Sequence, residues 1–324
     1  MSDASDTNEP TDPLDREAIL VLVGPTASGK TELSLRVAEE LNAEIVSLDS
    51  MLVYRGMDIG TAKPSLDERA RVAHHMIDIV TTNERYDAQR YLADARRVVG
   101  ELQERGKRAL FVGGTAFYLA ALLRGMFEGP PLDVELRKQL EAEFAERGAA
   151  AMHEELASID PESAARLHQN DHRRVTRALE VWRQTGRKLT DWQQEWGGSP
   201  RPREQRARMV GLALPTEKGD ARIRKRTRLM FDAGWREEAL AIRAGLGFGP
   251  SAVQALGYRE VLAWADGLVE RDEAEGSVAL KTRQFARRQR TWYRKFAIEW
   301  LDAGGGVDVG DLGAAACGVY LRGG

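Results

Sequence analysis

The consecutive residues Gly24-Pro25-Thr26-Ala27-Ser28-Gly29-Lys30-Thr31 satisfy the phosphate-binding pattern G-x-x-x-x-G-K-[ST]. Glycine at Gly24 and Gly29 lets successive backbone N–H groups turn inward around an anion, at the positive end of a following helix. Lys30 adds a mobile cation and Thr31 a hydroxyl for Mg²⁺. Such a loop binds a di- or triphosphate, so Gly24 to Thr31 are candidate diphosphate ligands and Thr31 is the candidate metal ligand.

A second polar cluster, from Ser47 to Pro64, contains Asp49 just after an apolar segment. A carboxylate there can reach Mg²⁺ through water or accept a proton from a nucleophile; it can equally cap a helix. Gly113-Gly114-Thr115 offers a turn and a hydroxyl after another apolar run. His74 and His75 are adjacent, so they point apart and suit a structural role better than a shared metal. Asn170-Asp171-His172-Arg173-Arg174-Val175-Thr176-Arg177 sets Arg173 and Arg177 four apart on one helical face. That cationic edge can meet a nucleic-acid backbone or pair with acidic helices.

These residues need elements to position them, and the apolar pattern supplies a series. The run Ile19 to Val23 reads as a buried parallel strand, and Thr31 to Leu41 as an amphipathic helix, so strand, loop and helix come in the required order. Strands over Glu44–Ser47, Met76–Val80 and Ala109–Val112, with a helix over Asp87–Arg105, continue an alternation that builds a parallel sheet covered by helices. Both Asp49 and Gly113 then fall at strand ends beside the phosphate loop, where α/β sheets place their active sites. Helical segments over Asp133–Arg147, Ala150–Ile159, Pro161–Leu167 and Asp171–Gln184 form an insertion. A linker over Gly197–Pro202, a strand over Met209–Leu214 and helices over Arg222–Ala233, Trp235–Ala244 and Ser277–Trp300 follow.

The expected class is therefore α/β: a phosphate-loop parallel sheet covered by helices, with an inserted all-helical subdomain. The expected partition is a disordered acidic tail at 1–16, a core over 17–130 and 205–302, the helical insertion at 131–204, and a Gly/Ala-rich tail at 303–324. No apolar stretch approaches the length of a membrane span. The single cysteine, Cys317, excludes an internal disulfide and a cysteine cluster, and points to a cytoplasmic setting. The net charge of -3 conceals two basic stretches: ten Lys/Arg against three Asp/Glu from Arg201 to Arg228, and seven against none from Lys281 to Lys295. Phe285, Trp292, Tyr293 and Phe296 interleave the second, which suits nucleic acid or tight helix packing.

Together these stretches resemble the tRNA dimethylallyltransferase family, the tRNA isopentenyltransferases of bacterial type, from about Ile19 to Trp300. The residues that carry the resemblance are the phosphate loop, Asp49-Ser50, the run Tyr54 to Pro64, His74-His75-Met76-Ile77-Asp78, Gly113-Gly114-Thr115, Asn170-Asp171 with Arg173-Arg174 and Arg177 to Glu180, Gly257-Tyr258-Arg259-Glu260, and Thr282-Arg283-Gln284 with Arg288-Gln289 and Thr291-Trp292. Ala116 departs from it, since many members continue Gly-Gly-Thr with glycine, and the segment after Ala303 matches no motif of the family.

The resemblance implies transfer of a dimethylallyl group from dimethylallyl diphosphate to N6 of the adenosine immediately 3′ of the anticodon, position 37, in tRNAs that read codons beginning with U. It implies Asp49 as general base, Thr26 and Arg222 beside the diphosphate, and Mg²⁺ as cofactor, with Arg224 and Arg226 as rivals of Arg222. For the tRNA anticodon stem-loop it implies Asp49, Ser50, Met51, Leu52, Thr115, Arg137, Arg173, Arg174, Val175, Thr176 and Arg177. A monomer without a membrane partner is expected. Spacing alone stops at a phosphate-binding α/β enzyme acting on nucleic acid. A small-molecule kinase shares the strand, loop, helix and following aspartate but leaves the basic stretches and the insertion unexplained. A nucleotide-gated nucleic-acid-binding protein without covalent chemistry is the third class.

Overall fold

All four side chains of Leu20–Val23 are buried, which a strand achieves only when both faces of its sheet are covered. The computed structural model describes residues 12–126, 129–197 and 202–322. In it Leu20–Val23 (β1) lies inside a six-stranded, all-parallel sheet. The other strands are Ala43–Leu48 (β2), His74–His75 (β3), Arg108–Gly113 (β4), Arg208–Ala213 (β5) and Glu299–Asp302 (β6), in the order β3-β2-β4-β1-β5-β6. Register decides where the site forms. Gly113 pairs with both Val23 and Leu48, so the next residues, Gly24, Asp49 and Gly114, emerge together at one end of the sheet.

The helices are Pro13–Arg16 (α1), Lys30–Leu41 (α2), Leu66–Arg71 (α3), Ala88–Glu104 (α4), Ala116–Arg124 (α5), Val134–Ile159 (α6), Pro161–Arg166 (α7), His172–Thr185 (α8), Leu189–Gly197 (α9), Pro202–Arg206 (α10), Thr216–Asp232 (α11), Trp235–Ala244 (α12), Tyr258–Ala265 (α13), Arg271–Tyr293 (α14) and Val309–Leu321 (α15). They fall into two compact units, one made of the described residues within Met1–Arg124 and Pro202–Gly324, the other Gly125–Arg201. The second unit, expected over 131–204, is all helical, with α6 interrupted at Gly148 and a core of Leu140, Phe144, Met152, Leu156, Val175 and Leu179.

Several expected boundaries change. The strand expected over Met76–Val80 does not form, because Met76 and Asp78 adopt left-handed φ values of 63° and 57°. The strand is His74–His75, and Val80 makes only an isolated bridge to Tyr54. The helix expected to reach Trp300 ends at Tyr293, after which Glu299–Asp302 pairs with β5 and extends the sheet. The expected Gly/Ala-rich tail at 303–324 instead contains α15. Its Ala316, Cys317, Val319 and Tyr320 are buried against α2 and β5, and Tyr320 Oη donates to the Val21 carbonyl at 2.8 Å. Small residues let that helix approach closely, a role composition alone does not separate from a loose tail. Of the expected disordered segment at 1–16, residues 1–11 lie outside those described. Asp12 caps α1, and Asp12 and Asp15 both pair with Arg203. Residues 198–201 of the expected linker also lie outside.

Trp235 is wholly buried and stands edge-on to Tyr258, with ring centroids 5.5 Å apart. Gly257 lies against it at φ +96°, and a Cβ there would come within 2.2 Å of the indole. Gly257→Ala therefore combines left-handed strain with overpacking, about 2–5 kcal/mol in all. Calorimetry is expected to show the melting temperature falling by several degrees; an unchanged value contradicts this account.

Candidate active site

The phosphate loop closes on α2 through Gly29, whose φ of +100° is open to glycine and costly for other residues. Lys30 folds back over the loop, its Nζ donating to the Gly24 and Pro25 carbonyls at 2.9 and 3.0 Å. Burial and the neighbouring Arg226 guanidinium push the Lys30 ammonium down to about 8, against the opposing pull of Asp49. A cavity of about 430 Å³ opens over the loop, lined by Thr26 to Thr31. Gly24 and Pro25, also expected as diphosphate ligands, are not in its lining; they serve as the carbonyl partners of Lys30.

Two helices from late in the chain complete this cavity. On α11, Arg222 donates from Nη1 to the Ser28 carbonyl at 3.3 Å, and Arg226, one turn on, donates to Thr26 Oγ1. Arg224 lines a separate cleft with Lys225 and Arg228. Arg222 thus lines the phosphate-loop cavity, and Arg226, named in the sequence as its rival, lines it too. The i, i+4 spacing of the pair was the available signal. On α14, Gln289 accepts from the Thr26 N–H at 2.9 Å and donates to the Gly114 carbonyl at 2.8 Å, tying the phosphate loop to the end of β4. Tyr293 Oη donates to the Gly24 carbonyl at 3.3 Å. The basic run from Lys281 to Lys295 therefore has an inward face. Tyr293 and Phe296 are buried packing residues.

Asp49 follows β2 directly, and its Oδ1 accepts from the Met51 N–H at 2.8 Å. No helix begins there, so the capping alternative is excluded. Thr115 fixes the same corner: its N–H donates to the Leu48 carbonyl at 3.1 Å, and its Oγ1 accepts from the Ser50 N–H at 3.1 Å. A second cavity, of about 310 Å³, has Asp49, Ser50, Met51, Thr115, Trp235 and Arg288 in its walls. Thr26, Asp49, Thr61, Arg226 and Phe285 line both cavities, so the carboxylate stands where they adjoin. Leu52 faces the phosphate-loop cavity only.

The motif from Tyr54 to Pro64 builds the wall. Lys63, with its side chain 2% exposed, bridges the Asp58 and Asp78 carboxylates at 2.5 Å each. Burial raises the Asp78 carboxyl, but hydrogen bonds from Lys63 and Arg69 outweigh it and hold the group below its ordinary range. Glu238, on α12, accepts from the Asp58, Ile59 and Gly60 N–H groups at 2.8, 2.7 and 3.0 Å and from Tyr258 Oη at 2.6 Å. Nothing in the sequence pairs Glu238 with a loop so far away. His75 Nε2 lies 2.6 Å from Glu44, and His74 Nδ1 2.8 Å from the Val72 carbonyl. Among the described residues no His, Cys, Asp and Glu cluster is suited to hold a metal by itself.

In the helical unit the expected tRNA residues divide. Arg173 and Arg174 are exposed on α8, whereas Val175 and Thr176 are buried in the unit's core and present no side chain to a ligand. Arg137 and Arg177 turn toward Glu180, which is wholly buried, at 2.6 and 2.9 Å. A buried carboxylate needs such partners, so Arg137 and Arg177 are held by Glu180 while Arg173 and Arg174 stand exposed.

Residues 52–296 match the IPP transferase family. The chain is 43% identical over 289 residues, 88% of its length and 91% of the other's, to a tRNA dimethylallyltransferase of Geobacter sulfurreducens. It is also similar to the crystal structure of the full-length tRNA isopentenylpyrophosphate transferase of Bacillus halodurans, with a TM-score of 0.67 and 36% identity over 94% of this chain and 97% of that one. A eukaryotic dimethylallyltransferase acting on tRNA aligns with a TM-score of 0.74 and 26% identity, over 89% of this chain and 74% of its own. The small-molecule kinase alternative is not favoured by these likenesses.

Proposed function

The chain belongs to the IPP transferase family, and we propose on that footing that it transfers a dimethylallyl group from dimethylallyl diphosphate to a tRNA. The acceptor is N6 of the adenosine 3′ of the anticodon, position 37, in tRNAs that read codons beginning with U. The observation that carries this reading is the position of Asp49, Thr26 and Arg226 in the walls of both cavities. One cavity has the phosphate loop for the donor; the other leads to the same carboxylate from a different set of side chains.

The N6 lone pair attacks C1 of the dimethylallyl group, and the allylic C–O bond breaks with its electron pair going to diphosphate. The N6 proton passes to Asp49. Negative charge that grows on the leaving group meets the loop N–H groups, Lys30, Arg222 and Arg226, already in place before reaction. Thr31 and Asp49, whose hydroxyl and carboxylate line the phosphate-loop cavity, are the residues that would hold Mg²⁺, which favours oxygen ligands and leaves most of them to water and phosphate. When bound, Mg²⁺ would neutralise part of the diphosphate charge. An adenosine stacked in an anticodon loop has to swing out to reach Asp49, and exposed Arg173 and Arg174 are suited to the phosphate backbone that supports this. Among the described residues no helix is long and apolar enough to cross a membrane; the reading is of a monomer working in the cytoplasm, where tRNA is.

The test is incubation with Mg²⁺, dimethylallyl diphosphate and an unmodified anticodon stem-loop, followed by mass spectrometry of the RNA. A gain of one C5H8 unit on the adenosine 3′ of the anticodon is the expected result, and an unchanged RNA mass rejects the reading.

Lys30 gives this site a pH signature. The charged ammonium favours an anionic ligand, and in the free site it loses its proton above about 8. Diphosphate affinity is therefore expected to fall as pH rises through 8, by up to about tenfold per unit. Calorimetric titration across this range checks it, and Lys30→Met, lacking the titrating group, is expected to bind weakly without that break.

A further inference from the structure

The buried hydroxyls of this protein mostly find partners close by: Ser34 donates to the Thr31 carbonyl at 2.7 Å, Thr227 to Ile223 at 2.9 Å and Thr282 to Val278 at 2.8 Å. Among the described residues, Ser28 and Ser47 are the serines whose buried Oγ has no partner. Each residue is 2% exposed, and both line the phosphate-loop cavity. Ser28 belongs to the loop. Ser47 does not: it lies on β2, two residues before Asp49. Side chains two apart on a strand share a face, and Ile45, Ser47 and Asp49 all line that cavity. The strand thus presents a hydroxyl and then a carboxylate to one space, with the hydroxyl deeper.

A buried hydroxyl without a partner carries its full desolvation penalty. Alanine would fill the position at nearly the same volume without that penalty, so the oxygen calls for a partner that comes with the ligand. We propose that Ser47 is a diphosphate-binding residue, its hydroxyl donating to a non-bridging oxygen of the leaving group from the sheet side while the loop N–H groups approach from the helix side. This rests on the phosphate-loop cavity being the diphosphate site. Such a bond is charge-assisted, and it stabilises the group whose charge grows as the C–O bond breaks.

Two measurements on Ser47→Ala separate a ligand-facing hydroxyl from a structural one. In calorimetric titration with Mg²⁺ and inorganic diphosphate, the variant is expected to bind about tenfold more weakly than the wild type. In thermal unfolding without diphosphate, it is expected to melt at the same temperature or higher, because it loses an unsatisfied polar atom and no contact. Equal diphosphate affinity in the two proteins overturns the proposal, and so does weaker affinity accompanied by a lowered melting temperature, which marks the hydroxyl as structural. A wild type that fails to bind diphosphate at all rejects the reading of the cavity itself, a separate outcome from loss of the Ser47 effect.

Discussion

Asp49→Asn is expected to lower the single-turnover rate of prenyl transfer by about 10²- to 10⁴-fold, the usual contribution of a positioned general base, while stem-loop affinity stays that of the wild type. Asparagine keeps the size of the side chain and the acceptor that holds the Met51 N–H at 2.8 Å, so the turn after β2 has no reason to change. What is lost is the capacity to take a proton from N6, whose lone pair is delocalised into the adenine ring and needs that help. The negative charge near Lys30 is lost as well: Asp49 raises the proton affinity of that lysine, so in the variant the break in diphosphate affinity should move below 8. Rapid-quench measurement with saturating donor isolates the chemical step. A variant that retains the wild-type single-turnover rate removes Asp49 from the role of base.

The site was legible in the sequence where its parts are contiguous and opaque where they meet only in the fold. Gly24 to Thr31 is one uninterrupted motif, and the apolar run directly before it reads as a buried strand. Asp49 was readable as a strand-end carboxylate because it follows directly on a short segment that reads as a strand, Ala43–Leu48 in the fold. Gln289 and Tyr293 were not: they lie within a stretch with seven basic residues, and only docking of α14 turns one stripe of it toward Thr26 and Gly24. Glu238 reaches the 58–60 backbone across 178 to 180 residues of sequence. The misreadings have the same origin. The basic helix was expected to run on to Trp300, yet the open edge of β5 captures Glu299–Asp302 as a strand. The ion pairs that Arg137 and Arg177 make with the buried Glu180 were likewise invisible in the sequence.

Arg226→Met is expected to lower kcat by about 10²- to 10³-fold, the scale for loss of one preorganised donor to developing negative charge, and to cost more than Arg222→Met. The ranking follows from where the two guanidinium groups stand. Arg222 is exposed and makes a 3.3 Å bond to a backbone carbonyl, where water can replace it. Arg226 is half-buried, bonds Thr26 Oγ1, and lines the cavities on both sides of Asp49. Burial lowers its proton affinity, with Asp49 opposing, but a guanidinium remains charged at any pH used for assay. A second consequence distinguishes removal of this charge from general damage. Arg226 is one of the causes that pull Lys30 down to about 8, so in Arg226→Met the lysine holds its proton to higher pH, and the break in diphosphate affinity must move above 8. In Arg222→Met the break should stay where it is, since Arg222 is not among the groups that shift Lys30. Titrating diphosphate against pH in both variants measures this directly. An unmoved break in Arg226→Met, or a moved one in Arg222→Met, would show that the electrostatic coupling within the site is not arranged as these residues imply.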